Sequence, residues 1–263
     1  MEDFEVRVVE SSFVAPSEPT PRKGLWLSSL DLLIAKRGHT PTFYLFHFDD
    51  ATSDFFDVAR LKAAMAKALV PFYPLAGRLG VDNSGRMEID CNAEGALFVV
   101  ARDDYITIDE IKDVKPSPEL RRQLVPRIEP SSVLMAVQMT FFKCGGVALG
   151  TALHHASIDA MSAFHFFQTW SAFSRDGDRG RVELPCHDRT LLRARSPPII
   201  HPDTHSMLYP KFAFSDPCGP ITTKVFSISK DHGPVWMEGV NICPKANVLP
   251  LPFAPKTFAP WGV

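Results

Sequence analysis

Two adjacent histidines and an aspartate stand together in the run His154-His155-Ala-Ser-Ile-Asp159, and their types permit proton-transfer chemistry. An imidazole titrates near neutral pH, so it can take a proton from an attacking hydroxyl or amine and return it to a leaving group. Asp159, four residues after His155, either orients that imidazole directly or anchors the turn by pairing with a distant cation; the spacing leaves both open. Other readings compete. Adjacent histidines beside a buried helix are also what satisfied core residues look like. His154, His155 and Asp159 are metal-ligand types, although neighbours on an extended strand point to opposite faces and rarely share one ion. Cys144 offers a thiol nucleophile, but its place in a Gly-Gly turn reads as structural. The sequence has no G-x-S-x-G, no G-x-G-x-x-G and no P-loop, so the loops that position a serine nucleophile, a dinucleotide or a triphosphate are not found.

The elements around this run are legible as patterns. Val133 to Phe142 reads as a strand apolar on both faces, Lys143-Cys-Gly-Gly146 as a turn, and Val147 to Leu153 as the returning strand. On that strand Val147, Leu149 and Leu153 point one way, while Ala148, Gly150 and Ala152 point the other and leave room. Asp159 to Ser174 reads as a mostly buried helix, with Ser162, His165 and Thr169 polar among Met161, Phe164, Phe166, Phe167, Trp170 and Phe173. The histidines therefore lie at a strand-to-helix junction, where backbone on both sides fixes a ring better than a surface loop does. Upstream, Asp54 to Val70 carries apolar residues at Val58, Leu61, Met65 and Leu69 with Pro71 beyond, which predicts a helix. Arg86 to Cys91 alternates after the turn Asp82-Asn-Ser-Gly85, and Ala96 to Ala101 reads as a buried strand.

At 263 residues, with 45% hydrophobic and 22% charged residues, the chain has the composition of a folded protein with a sizeable core. A balance of 28 Lys and Arg against 30 Asp and Glu leaves a net charge of −2, with no basic excess to hold nucleic acid or an anionic membrane. The acidic start Met1-Glu-Asp-Phe-Glu lacks a secretory pattern, and no apolar run reaches the roughly 18 to 20 residues of a membrane helix, so a cytoplasmic protein is expected. Five cysteines, widely spaced and without C-x-x-C, read as reduced and mostly buried thiols. Residues 1–195 have α/β (α+β) patterning. Twelve of the 23 prolines fall between Pro197 and Pro260, so 196–231 reads as a crossover or linker and 232–263 as an irregular Pro-rich tail.

With Gly146-Val-Ala-Leu-Gly-Thr-Ala-Leu-His154 leading into His155-Ala-Ser-Ile-Asp159, the chain resembles the plant BAHD acyltransferases, whose signature is H-x-x-x-D. Leu25-Trp-Leu-Ser-Ser-Leu-Asp31, His39-Thr-Pro-Thr-Phe-Tyr44, Leu69-Val-Pro-Phe-Tyr-Pro-Leu-Ala-Gly-Arg78, Phe142-Lys-Cys-Gly-Gly146 and Asp188-Arg-Thr-Leu-Leu-Arg-Ala-Arg195 agree with its hydroxycinnamoyltransferase branch, over about residues 4–231. The resemblance implies the first domain of a two-domain, chloramphenicol acetyltransferase-like fold, monomeric in its full form. It implies direct acyl transfer from an acyl-coenzyme A thioester to a hydroxyl or amine, shikimate, quinate and amines being acceptors of similar proteins. Acyl-coenzyme A is then a co-substrate, no metal or other cofactor is needed, and His155 is the base. The resemblance makes Asp159 a structural anchor and gives Thr40, Thr42 and Tyr44, with His154, as substrate-site residues. Ala160 stands where many shikimate-type members carry glycine, which favours an amine or other atypical acceptor.

The second signature of the family, D-F-G-W-G, does not occur, and the resemblance stops after Ile228-Ser-Lys-Asp231. Gly233 to Val263 reads as a non-homologous segment from another frame or exon, so the second domain, with most coenzyme A and acceptor contacts, is expected to be missing. Two readings follow: an acyltransferase whose base is His155, or a truncated, non-catalytic isoform that binds acyl donors weakly or associates with full-length relatives. A fragment of this kind is expected to self-associate through exposed apolar surface, the small-residue face of Ala148, Gly150 and Ala152 included.

Overall fold

In a computed structural model of the chain, residues 5–35, 37–47, 56–111, 117–180, 182–189 and 192–193 are described. The proposed linker at 196–231 and the tail at 232–263 lie outside them.

In chain order the elements are β1 (Arg7–Val14), β2 (Gly24–Trp26), α1 (Ser29–Ala35), β3 (His39–Phe46), α2 (Val58–Ala68), β4 (Arg78–Val81), β5 (Met87–Asp90), β6 (Ala96–Asp103), α3 (Ile108–Ile111), α4 (Pro118–Leu124), β7 (Met135–Phe142), β8 (Val147–His154) and α5 (Ala160–Asp176). Five strands form the main sheet in the order β1-β6-β7-β8-β3, and β2-β5-β4 form a small second sheet. Within the main sheet β6 and β7 run parallel and the remaining neighbours antiparallel. The parallel pair needs a crossover, and α3 and α4 supply it. Helices on both faces explain why β8 is buried along its full length and β7 everywhere but at half-buried Phe141.

The expected helix at 54–70 starts at an N-cap, Asp57, whose carboxylate accepts the Arg60 amide at 2.6 Å; Asp54 lies outside the described residues. Leu61, Met65 and Leu69 face the core as their spacing requires, and the Trp170 indole of α5 donates to the Leu61 carbonyl at 2.8 Å. Trp170, Phe98 and Phe166 are fully buried at this junction, where each large apolar side chain contributes roughly 1.5–3 kcal/mol.

Three expectations need correction. The small-residue face of β8 is not open: Ala148, Gly150 and Ala152 are all buried, and a Cβ built on Gly150 would lie 1.8 Å from the Leu124 carbonyl oxygen. Gly150 has no side chain because the end of α4 presses its backbone against the sheet there. Nor is α5 mostly buried: Met161 is 76% and Phe164 43% exposed, and burial begins at Phe166. Finally, Cys144 and Cys186 are exposed, so among the described cysteines only Cys91 is a buried thiol, which burial pushes up to about 11.

Candidate active site

The hairpin of β7 and β8 delivers its last residue, His154, against the start of β3. Register pairs His39 with His154, Thr40 with Leu153, Thr42 with Thr151 and Tyr44 with Leu149. Directly opposed residues share a face of the sheet. Thr40, Thr42, Tyr44, Thr151 and Leu153 therefore lie on the α2/α5 side, while His39 and His154 lie on the other. The ladder runs one bond further, since the His155 amide donates to the Gly38 carbonyl at 3.0 Å. Carried to that residue, the alternation assigns His155 to the face of Thr40, Thr42 and Tyr44. β3 is the edge strand, consistent with Pro41 inside it, so this face meets the sheet's open edge.

Past β8 the chain turns sharply. The His154 carbonyl accepts both the Ser157 amide at 2.9 Å and the Ser157 hydroxyl at 2.7 Å, and the His154 Nδ1 accepts the Ala156 amide at 3.2 Å. Ala156 is buried in a cluster with Leu25, Leu27, Ile89 and Leu134, so the small sheet grips the turn from behind. His155 is left half-buried between two fixed neighbours.

Asp159 caps α5, its carboxylate accepting the Ser162 amide at 2.8 Å. That bond, with help from the Ser162 hydroxyl, holds the carboxyl below its usual range. Among the described residues Asp159 makes no hydrogen bond to His155 and no ion pair. His154 is buried, and desolvation pushes its imidazole down to about 4, with His39 and His155 adding to the effect. His39 packs edge-on against it, ring centroids 4.9 Å apart, and donates from Nε2 to the Val133 carbonyl at 2.6 Å. On the other face the Thr42 and Thr151 hydroxyls lie 2.5 Å apart. Burial pushes the Tyr44 phenol up, against a hydrogen bond to Thr42. No group of three His, Cys, Asp or Glu among the described residues converges as a metal site, and no described helix is long and apolar enough to cross a membrane.

Other stretches singled out in the sequence prove to be supports. Tyr73 to Ala76 form a 3-10 turn, Gly77 admits the Asp90 carbonyl where a Cβ would lie 2.4 Å from its oxygen, and buried Arg78 donates to the Gly77 and Gly95 carbonyls. Arg189 reaches Asp31 at 3.0 Å, Arg193 lies over Trp26, and His187 binds the Pro71 carbonyl at 2.7 Å. Arg189 and Arg193 thus meet the distant segment Leu25 to Asp31 in space. Sequence reasoning did not assign roles to His39, Gly38 or Ala156. Their signal is strand pairing, which no local pattern reveals.

The model of the Transferase family, the BAHD acyltransferases, matches residues 4–227. The chain is 51% identical over 208 residues to putrescine hydroxycinnamoyltransferase 1 of Oryza sativa subsp. japonica, a match covering 75% of this chain and 46% of the relative. It is 45% identical over 200 residues to shikimate O-hydroxycinnamoyltransferase of Nicotiana tabacum, covering 74% and 45%. Among solved structures, vinorine synthase superposes with a TM-score of 0.56 at 30% identity, over 70% of this chain and 46% of that one. The chain thus spans about half the length of these relatives. The matched span and the identity to these relatives agree, and the chain belongs to the BAHD acyltransferases of the Transferase family.

Proposed function

We propose that the chain supplies the general-base half of an acyltransferase that moves a hydroxycinnamoyl or related aromatic acyl group from acyl-coenzyme A to an amine or hydroxyl. The reading is supported by one observation: His155 is half-exposed with its amide bonded to the Gly38 carbonyl, one residue past the end of a strand whose alternation assigns it to the face of Thr40, Thr42 and Tyr44. The thioester carbonyl is already electrophilic, so the protein's tasks are to align the partners and to remove the acceptor's proton. As the acceptor nitrogen or oxygen bonds to the carbonyl carbon, His155 takes its proton. The C–S bond then breaks, and His155 returns the proton to the departing coenzyme A thiolate. No acyl-enzyme forms. Thr40, Thr42 and Tyr44 line the acyl group, and Asp159 holds the start of α5 beside the base. An amine is the better supported acceptor, since the relative with 51% identity is named for putrescine and Ala160 stands where many shikimate-type members carry glycine.

The test joins residues 1–227 to the C-terminal half of the Oryza sativa putrescine enzyme and assays p-coumaroyl transfer to putrescine and to shikimate. The hybrid is expected to prefer putrescine, and His155→Ala to cost about 10²- to 10⁴-fold in kcat. The 263-residue chain alone is expected to show no transfer. A hybrid without activity beside an active parent enzyme, or one indifferent to His155→Ala, overturns the reading. Donor binding by an inactive hybrid would favour the non-catalytic alternative.

A further inference from the structure

We propose that His154 is a positioning residue: its imidazole serves as a fixed hydrogen-bond acceptor that shapes the turn presenting His155, with His39 as its buttress. The proposal rests on His155 being the base. It departs from the expectation that His154 meets substrate.

His154 is 4% exposed and lies across the sheet from Thr40, Thr42 and Tyr44. Its ring faces His39, 87° from parallel, and has no open path to a substrate on the other side. Its Nδ1 receives the Ala156 amide, and an amide can only donate. Nδ1 therefore carries no proton, and the ring's single proton sits on Nε2. A protonated Nδ1 would set one N–H against another at 3.2 Å.

Ala156 follows His155 directly and is 1% exposed, so its amide is out of reach of water. Without the Nδ1 acceptor this donor would be buried and unpaired, which a closed turn does not tolerate. The bond spans two residues and passes behind His155. It fixes the peptide on that residue's C-terminal side as the Gly38 bond fixes the N-terminal side. His39 is itself held by the Val133 carbonyl, so its ring is a stationary wall. A neutral His154 also leaves no second positive charge beside the base when His155 takes a proton.

The experiment compares His154→Asn, whose Oδ1 occupies the Nδ1 position, with His154→Phe and His154→Gln. Phe keeps the ring and removes the acceptor; Gln moves the acceptor to the Nε2 position. Amide hydrogen exchange of the 263-residue chain, read on the peptide containing Ala156, needs no turnover. Protection is expected to survive in the Asn variant and to fall in the other two, exchange accelerating on the order of 10-fold for one lost hydrogen bond. In the hybrid enzyme, Phe and Gln are expected to lower kcat about 10-fold with the donor KM unchanged, and Asn to stay within about 3-fold. Wild-type protection in the Phe variant, or equal losses in Asn and Phe, overturns the proposal. A silent wild-type hybrid removes the function assigned to His155 but leaves the exchange result to decide the turn.

Discussion

At the end of β8 two histidines share a peptide bond and live in different surroundings. His155 is half-exposed, its amide donating to the Gly38 carbonyl, and the strand alternation assigns it to the α2/α5 face. On the α4 face His154 is buried against His39, its amide donating to the Leu134 carbonyl and its Nδ1 committed to the Ala156 amide. The period-two alternation of a strand makes this division possible, since one register step moves a side chain through the sheet. The comparison teaches how a strand end separates support from chemistry: helices cover both faces of the sheet, and past β8 one histidine stays enclosed while the next is half-exposed.

If the α4 face is the rigid one, damage there should be felt first in stability. The largest effect is expected at Gly150, where a methyl group would overlap the Leu124 carbonyl oxygen. Gly150→Ala should cost roughly 3 kcal/mol or more, measured as a shift in urea midpoint. Gly38→Ala, with open space around its Cβ but a φ of +69°, should cost only about 1 kcal/mol by the same measurement. A tolerated Gly150→Ala would mean that α4 does not brace β8.

The next effect is one of pH. His154 titrates at about 4 in the fold against 6.5 when unfolded, so the unfolded chain binds the extra proton between those values. The neutral ring's contribution is complete above pH 6.5 and is lost as pH falls toward 4, by on the order of 3 kcal/mol. His39 and His187, whose folded values are also lowered by burial, act in the same direction. Thermal melts from pH 7.5 to 4.5 should fall steeply in the wild type and less steeply in His154→Asn. Parallel curves would place the titration elsewhere.

The smallest effect concerns Asp159, which belongs to neither face. As a helix cap its loss to Ala should cost about 1 kcal/mol, while Asn, which caps equally well, should leave the melting temperature nearly unchanged. A large loss in Asp159→Asn would instead show that the carboxylate's charge is used.

Much of this was readable in advance. The alternation from Val147 to Leu153, the apolar spacing from Val58 to Leu69 and the run from His154 to Asp159 fixed the hairpin, the helix and the junction between them. What failed was inference from size: Ala148, Gly150 and Ala152 looked like vacancy, whereas smallness in a strand also marks the approach of another backbone. The exposure of Met161 and Phe164 was missed because periodicity shows a helix's apolar face but not how far along it the neighbours extend. His39 was invisible as a partner of His154, since 115 residues separate them and only register brings them together.

The most direct test of this division is a pair of substitutions in the hybrid enzyme, His155→Gln and His154→Asn, compared by kcat at saturating p-coumaroyl-coenzyme A. Each keeps a hydrogen-bonding side chain; only the first removes the group assigned to the proton. The account predicts a loss of at least about 100-fold for His155→Gln and less than about 3-fold for His154→Asn, with both proteins melting near the wild type at pH 7.5. Equal losses, or a greater loss at His154, would contradict it.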